Sequence, residues 1–400
     1  MVRLQNVGRG KFIEGEGAFV SERHAASLHR HEVRGNDVIV ASLGDEQIPF
    51  GRACLYPQDL PPGIVKADCF RLRFDPGAVV PGFVMRTLNS DSLRTALSSL
   101  AQGVTRDRVN LKNLLKFQIL LPSLLEQQRI VEILDTLDEA IQKTEAIVAK
   151  LQKVKLGLLH DLLTRGIDEN GELRDPVRHP EQFKESPLGR IPRGWKVLPL
   201  ETVAEVRSGI AKNSGRTVRD AVSVPYLRVA NVQDGYLDLE DMAEIDVPRV
   251  DIDRYRVLSG DVLMNEGGDL DKLGRGVVWT GQLDPCVHQN HVFVVRSGPK
   301  LIPSYLGLWI GSSASRRYFL RAGKQTTNLA SINKTSLGGL PVLLPDKQEQ
   351  EELAARLGAL DNHSDMENSN VTKLRLLKQG LMDDLLTGRV RVTPLLESDP

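Results

Sequence analysis

Cysteine is scarce in this chain. The three residues, Cys54, Cys69 and Cys286, neither pair by count nor fall in CxxC spacing. That argues against a disulfide framework and against a thiolate metal or redox motif. Membrane-length apolar runs and a signal-peptide pattern are also missing, which leaves a reducing cytoplasm as the simplest home. Charge imbalance is absent too, because 52 Lys and Arg face 52 Asp and Glu. A wholly basic nucleic-acid coat is thereby excluded, although local patches are not. With 41% hydrophobic residues, wholesale disorder is excluded as well, and 400 residues allow two or three domains.

Catalytic motifs are equally thin. Cys286-Val-His288-Gln-Asn-His291 and the group His24, His29 and His31 contain metal-ligand residue types, but neither set is complete. Along a strand, His288 and His291 would point to opposite faces. Gly8-Arg-Gly-Lys11 and Gly274-Arg-Gly276 lack the spacing and GK[ST] ending of a phosphate-binding loop, and read as turns. Phe12-Ile-Glu-Gly-Glu-Gly17 and Asp59-Leu-Pro-Pro-Gly63 depart from the FxGxG and D/N-PP-Y/F motifs of adenine methyltransferases. No lysine has Asp or Glu two positions before it, so the [DE]xK element of a common nuclease site is missing. Methyl transfer or cleavage would have to belong to another polypeptide.

What the chain does have is a repeat. LLPSLLEQQRIVEIL at 120–134 returns as LLPDKQEQEELAARL at 343–357, 223 positions on. Held without gaps from Asn110/Asn333 to Thr164/Thr387, that offset gives about twenty identities, among them Pro122/Pro345, Glu126/Glu349, Gln127/Gln350 and Asp138/Asp361. Each copy carries its own helix punctuation. Ser123-x-x-Glu126 and Asp346-x-x-Glu349 pair an oxygen-bearing N-cap with a carboxylate placed to reach back, and Gly166 and Gly388 supply a left-handed stop. About 42 residues lie between, a rod of roughly 60 Å.

In the first rod Ile130, Leu134, Leu137, Ile141, Thr144, Val148, Leu151, Lys155, Leu158 and Leu162 alternate spacings of four and three, a coiled-coil seam. The second keeps Leu353, Leu357, Leu360, Val371, Leu374, Leu381 and Leu385, but Ser364 and Glu367 on its seam predict a weaker middle. Two equal rods in one chain can pair with each other, and Gly157 and Gly380 would then allow close backbone approach. An antiparallel pair within the chain is therefore expected, over a dimerisation zipper.

The flanking segments repeat more faintly. Residues 2–10 line up with 227–235, matching Arg3 to Arg228, Asn6 to Asn231 and Gly10 to Gly235. Val33-Arg-Gly-Asn-Asp-Val38 resembles Leu258-Ser-Gly-Asp-Val262. Alternating runs at 53–56, 70–74, 276–279 and 292–296 predict strands, Ser304 to Leu320 predicts a helix, and Asp168 to Gly194 reads as a surface linker. The expected fold is α+β, with two mixed α/β domains separated by two long helices paired as an antiparallel coiled coil. The boundaries are 1–122 for the first domain, 123–166 for the first rod, 167–189 for the linker, 190–345 for the second domain, 346–388 for the second rod and 389–400 for a tail.

Basic and amide residues crowd into loops: Lys212, Arg216 and Arg219; Lys272 and Arg275; Lys324, Gln325, Thr326 and Asn328 with Asn333 and Lys334. In the first domain Arg106, Arg108, Asn110 and Lys112 occupy the place matching the last group, and the matched pairs Arg3/Arg228 and Asn6/Asn231 are further candidates. Such side chains contact phosphates and base edges. One cluster alone reads as a solvated surface, whereas recurrence in matching places of two domains favours binding.

The paired LLP-x3-EQ openings, the Lys-x-Gly-Leu-Leu/Met-x-Asp-Leu-Leu-Thr closings and Gly189-Arg-Ile-Pro-Arg-Gly-Trp195 resemble the specificity subunit of type I restriction-modification systems, over nearly the whole chain. The resemblance implies two target-recognition domains, each reading half of a split sequence in double-stranded DNA, with the rods as a ruler. It implies two modification subunits that carry S-adenosylmethionine and methylate adenine, optional restriction subunits, and no catalysis or bound cofactor in this chain. Rods of roughly 60 Å, set against about 34 Å per DNA turn, suit readers one to two turns apart. A coiled-coil adaptor whose flanking domains bind protein is the alternative. Arg190 to Pro225, about 36 residues, precede the second copy of the 2–10 segment. The first domain is therefore expected to lack its opening, counterparts of Trp195 and Leu200 included, through start assignment or natural shortening, with the tail from Arg389 filling part of the gap.

Overall fold

The computed structural model describes residues 1–44, 50–98, 108–211, 220–268, 273–325 and 330–396. By its internal contacts the chain divides into two units, Met1–Val148 with Met366–Pro400, and Ala149–Asp365. Both rods form, as Leu124–Arg165 and Lys347–Leu386, and each contributes one part to each unit. Ser123 Oγ accepts from the Glu126 N–H at 3.4 Å and Asp346 Oδ1 from the Glu349 N–H at 2.9 Å, so the predicted caps are in place. Gly166 and Gly388, at φ +61° and +70°, supply the left-handed stops.

Within the first unit the rods are clamped by Arg375 on Glu145 at 2.6 Å, by Lys378 on Asp138, and by Ile130 and Leu134 in one core with Leu385 and Leu386. Within the second unit Lys155 pairs with Asp361, and Leu162 and Leu163 share a core with Leu353 and Leu357. In each unit the partner numbers fall along one helix as they rise along the other, so the helices run antiparallel. Leu134, Ile141, Leu357 and Val371 are buried, while Leu137, Val148, Leu151, Leu360 and Leu374 are half-buried. Ser364 and Glu367 hold the polar middle of the seam, where the chain also divides between units.

Gly157 and Gly380 do not serve the close approach expected of them. A Cβ added at either would meet nothing within 4 Å. Both lie on exposed stretches, because antiparallel pairing brings different residues opposite each of them.

The first domain holds a three-stranded antiparallel sheet in the order Ala53–Leu55, Val38–Ala41, Cys69–Leu72. The second repeats it as Gly276–Val278, Val262–Asn265, Val292–Ser297, and adds Ala204–Ser208 on the edge. A second sheet there pairs Ala243–Pro248 with Ala221–Leu227 and that strand with Val287–His288. Two sequence expectations change. The single helix over 304–320 is two, Pro303–Ile310 and Ser313–Ala322, because extended Ser312 breaks the run and its Oγ caps the second by accepting from the Ser315 N–H at 3.2 Å. The linker over 168–194 is not merely surface chain. Its strands Phe183–Ser186 and Gly189–Pro192 form a hairpin that buries Phe183 and Ile191.

The twin Glu-Gln motifs are the joints between rod and domain. Gln127 is fully buried, accepts from the Val80 N–H at 2.8 Å and donates to the Ala78 and Pro122 carbonyls. Gln350 accepts from the Ile302 N–H at 2.9 Å and donates to the Lys300 and Pro345 carbonyls. Each amide thus satisfies backbone groups at the start of its domain's buried helix, Pro81–Leu88 or Pro303–Ile310. The glutamates differ. Neither carboxylate takes the expected capping-box path back to its own cap. Glu349 accepts from the Ile167 N–H, Arg174 and the Trp195 indole at 2.6–2.9 Å. Glu126 is held by Arg391 in a two-pronged pair at 2.6 and 2.7 Å that places the tail against the first rod and keeps the carboxyl below its ordinary range.

Candidate nucleic-acid interface

The two domains repeat at the level of individual hydrogen bonds. Asn6 Oδ1 accepts from the Arg3 N–H and Asn231 Oδ1 from the Arg228 N–H, both at 2.9 Å. The amide nitrogens donate onward to the Ile13 and Asp238 carbonyls. Gly10 and Gly235 sit at φ +80° and +82°. Asp37, buried, accepts from the Arg34 N–H and from both prongs of Arg73, and Asp261 does the same with the Leu258 N–H and Arg296. These residues set the frame and explain the faint sequence similarity.

Several candidate contact residues are therefore spent within their own domain. Asn6 and Asn231 are buried, while Arg3 donates to the Glu16 carbonyl and Arg228 to Asp241. Asn110 and Asn333 cap short helices at 2.7 Å from the Asn113 and Ser336 N–H groups. Arg275 reaches Gln233 at 3.3 Å. Arg108, Lys112 and Lys334 are exposed. Lys324 and Gln325 lie on a two-residue strand. Arg106, Lys212, Arg216, Arg219, Lys272, Thr326 and Asn328 lie outside the described residues.

The structure does bring described residues from separate segments together. In the second domain Glu266 donates its N–H to the His291 carbonyl at 2.9 Å and accepts from Ile332 at 2.8 Å, while Asn290 donates to the Ile210 carbonyl at 3.0 Å. Ile210, Glu266 and Ile332 are thereby joined at or beside one turn, Gln289–Asn290–His291. Gly209 makes this possible, since a Cβ there would lie 2.1 Å from the His288 carbonyl oxygen. In the first domain Ser42 donates to the Asp68 carbonyl at 3.0 Å and accepts from Val109 at the same distance, so Ser42 and Val109 are joined beside the turn Lys66–Ala67–Asp68. Sequence reading missed both turns, because their matches are backbone groups and their side chains have nothing in common.

Beside the second turn, His288 is buried against the Val292 carbonyl at 2.6 Å, and burial pushes its pKa down to about 4. His291 is exposed and points elsewhere, its Nδ1 on Glu266 at 2.5 Å. The three cysteines are buried and free, and burial raises their thiols to about 12 at Cys54, 11 at Cys69 and 12 at Cys286. They are inert packing groups. Among the described residues, no cluster of His, Cys, Asp or Glu is arranged to hold a metal ion, and no helix is long and apolar enough to cross a membrane.

Residues 35–153 match the family described as the type I restriction modification DNA specificity domain. The chain is 28% identical to the MjaX specificity subunit of Methanocaldococcus jannaschii over 52% of its own length, and that match spans about half, 49%, of the relative. It is 23% identical to the EcoKI specificity subunit of Escherichia coli over 98% of this chain and 82% of the relative. The solved S subunit of a type I system from M. genitalium shares the fold, with a TM-score of 0.54, 14% identity and coverage of 96% and 91% of the two chains. With the doubled domain, the paired rods and the twin Glu-Gln joints, the chain is thus similar in sequence to type I restriction-modification specificity subunits and shares the fold of a solved one.

Proposed function

We propose that this chain is the DNA-reading subunit of a type I complex, recognising a split duplex target and bringing methyltransferase subunits to it. The observation that supports this most is the doubled frame, in which one hydrogen-bonded scaffold occurs twice and holds at matching turns side chains that differ between copies. A scaffold that repeats while its presented residues vary suits two readers of two different half-sites. Residues 1–122 and 190–345 act as target-recognition domains, 123–166 and 346–388 as spacer helices, with 167–189 and 389–400 bracing the rod ends. Exposed Arg108, Lys112 and Lys334, together with Arg106, Lys212, Arg216, Arg219, Lys272, Lys324, Gln325, Thr326 and Asn328, supply phosphate and base contacts. Chemistry lies with the partners, two modification subunits that carry S-adenosylmethionine and methylate adenine, joined in a restriction complex by further subunits, in the cytoplasm.

The test is binding of duplex DNA by the chain with its modification subunit across a salt series. Phosphate contacts release counterions, so affinity should fall steeply as salt rises. Salt-independent association with protein alone, and no retention of duplex, would instead establish the adaptor reading.

A further inference from the structure

The turn before the third strand of each domain's repeated sheet has the same backbone and different side chains. Lys66 donates its N–H to the Val2 carbonyl at 2.9 Å, and Gln289 donates to the Leu227 carbonyl at 2.9 Å. The turn closes with Cys69 N–H on the Lys66 carbonyl and with Val292 N–H on the Gln289 carbonyl, again both at 2.9 Å. Its last carbonyl takes the N–H of Ser42 or Glu266, the residue where the neighbouring strand leaves the sheet. On these equal posts stand Lys66, Ala67 and Asp68 in one domain and Gln289, Asn290 and His291 in the other, all exposed or half-exposed.

The second triplet is also pre-set. The Glu266 carboxylate holds His291 Nδ1 at 2.5 Å, and His291 Nε2 lies 3.3 Å from the Asn290 amide, so the ring is fixed from both sides. A turn braced through its backbone to two or three neighbouring segments loses little conformational freedom when it meets a ligand. The side chains are of base-reading kinds. Gln and Asn present a paired donor and acceptor that match adenine, whereas Lys suits the guanine acceptors and Asp the cytosine amine. We propose that this turn is a base-contacting element in both domains, with Lys66 and Asp68 reading a G·C pair in one half-site and Gln289, Asn290 and His291 reading an A·T pair in the other. The proposal rests on the DNA-reading function above and locates part of it.

Methylated adenines are mapped in the genome of a host expressing the full chain with its modification subunit, and the unaltered chain gives the reference motif. In Asn290→Ala/His291→Ala, one half of the motif should relax at a base pair while the other half stays fixed. In Lys66→Ala/Asp68→Ala the halves should exchange roles. Binding to the reference duplex should weaken about 5- to 150-fold for each lost two-point contact. The triple change Lys66→Gln, Ala67→Asn and Asp68→His should move one position of the first half-site from G·C to A·T, with thermal unfolding unchanged. Unchanged motif and affinity in all three variants, or loss of both halves together, would overturn the proposal. A reference chain that yields no split motif would overturn the DNA-reading function itself.

Discussion

The two domains share a frame and differ in what they attach to it. Asp37 and Asp261, Asn6 and Asn231, and Gln127 and Gln350 make the same bonds in the two copies. Against that constancy, Glu349 has Arg174 and Trp195 where Glu126 has Arg391, His288 stands where the first domain has Val65, and Gln289–Asn290–His291 stands where it has Lys66–Ala67–Asp68. Buried polar groups that brace backbone tolerate little change, because an orphaned partner is costly. Exposed turn residues carry no such penalty, and variation collects there.

The largest break in the comparison comes at Trp195, whose side chain is 1% exposed and donates to Glu349. Trp195→Ala should cost the second unit about 3–5 kcal/mol and leave hydrogen exchange in the first unit unchanged. Arg391→Ala should do the converse, loosening the first unit alone.

His288 separates the domains by pH. Its folded pKa of about 4 lies below the ordinary 6.5, so the stability it confers is fully present above 6.5 and is lost as pH falls from there toward 4. The second domain should lose about 3 kcal/mol over that interval, by 1.36 kcal/mol per pKa unit. His288→Val, which copies Val65, should remove the slope, as read by denaturant unfolding at a series of pH values.

Gln127→Leu and Gln350→Leu sharpen the shared part. Each strands an N–H and two carbonyls, so each should cost about 1–3 kcal/mol, nearly equal in the two units. Inequality beyond that range would mean the joints are not equivalent.

The smallest effect has the opposite sign. Gly157→Ala and Gly380→Ala lie in open helical surface, and each should stabilise its rod by about 0.5–1 kcal/mol, seen as a rise in the unfolding midpoint.

Much of this frame was legible in the sequence. The seam from Ile130 to Leu162 and the stops at Gly166 and Gly388 declare themselves locally, through periodicity and backbone preference. Arg391 on Glu126 ties the tail to the start of the first rod, across 265 positions that no local pattern spans. The glutamates misled, because a capping-box pattern cannot show that Arg391 or Trp195 arrives from far along the chain to claim the carboxylate. Gly157 and Gly380 misled because equal places in a repeat are not opposite places in an antiparallel pair. The reading turns stayed hidden because the repeat there consists of backbone bonds, which leave no mark on residue type.

The central claim, that one doubled frame reads two half-sites, meets its most direct test in the methylated sequences of a host carrying this chain and its modification subunit. The account predicts a motif with two specified halves separated by a spacer of fixed length. Methylation with one contiguous motif, or with no dependence on this chain, would contradict it.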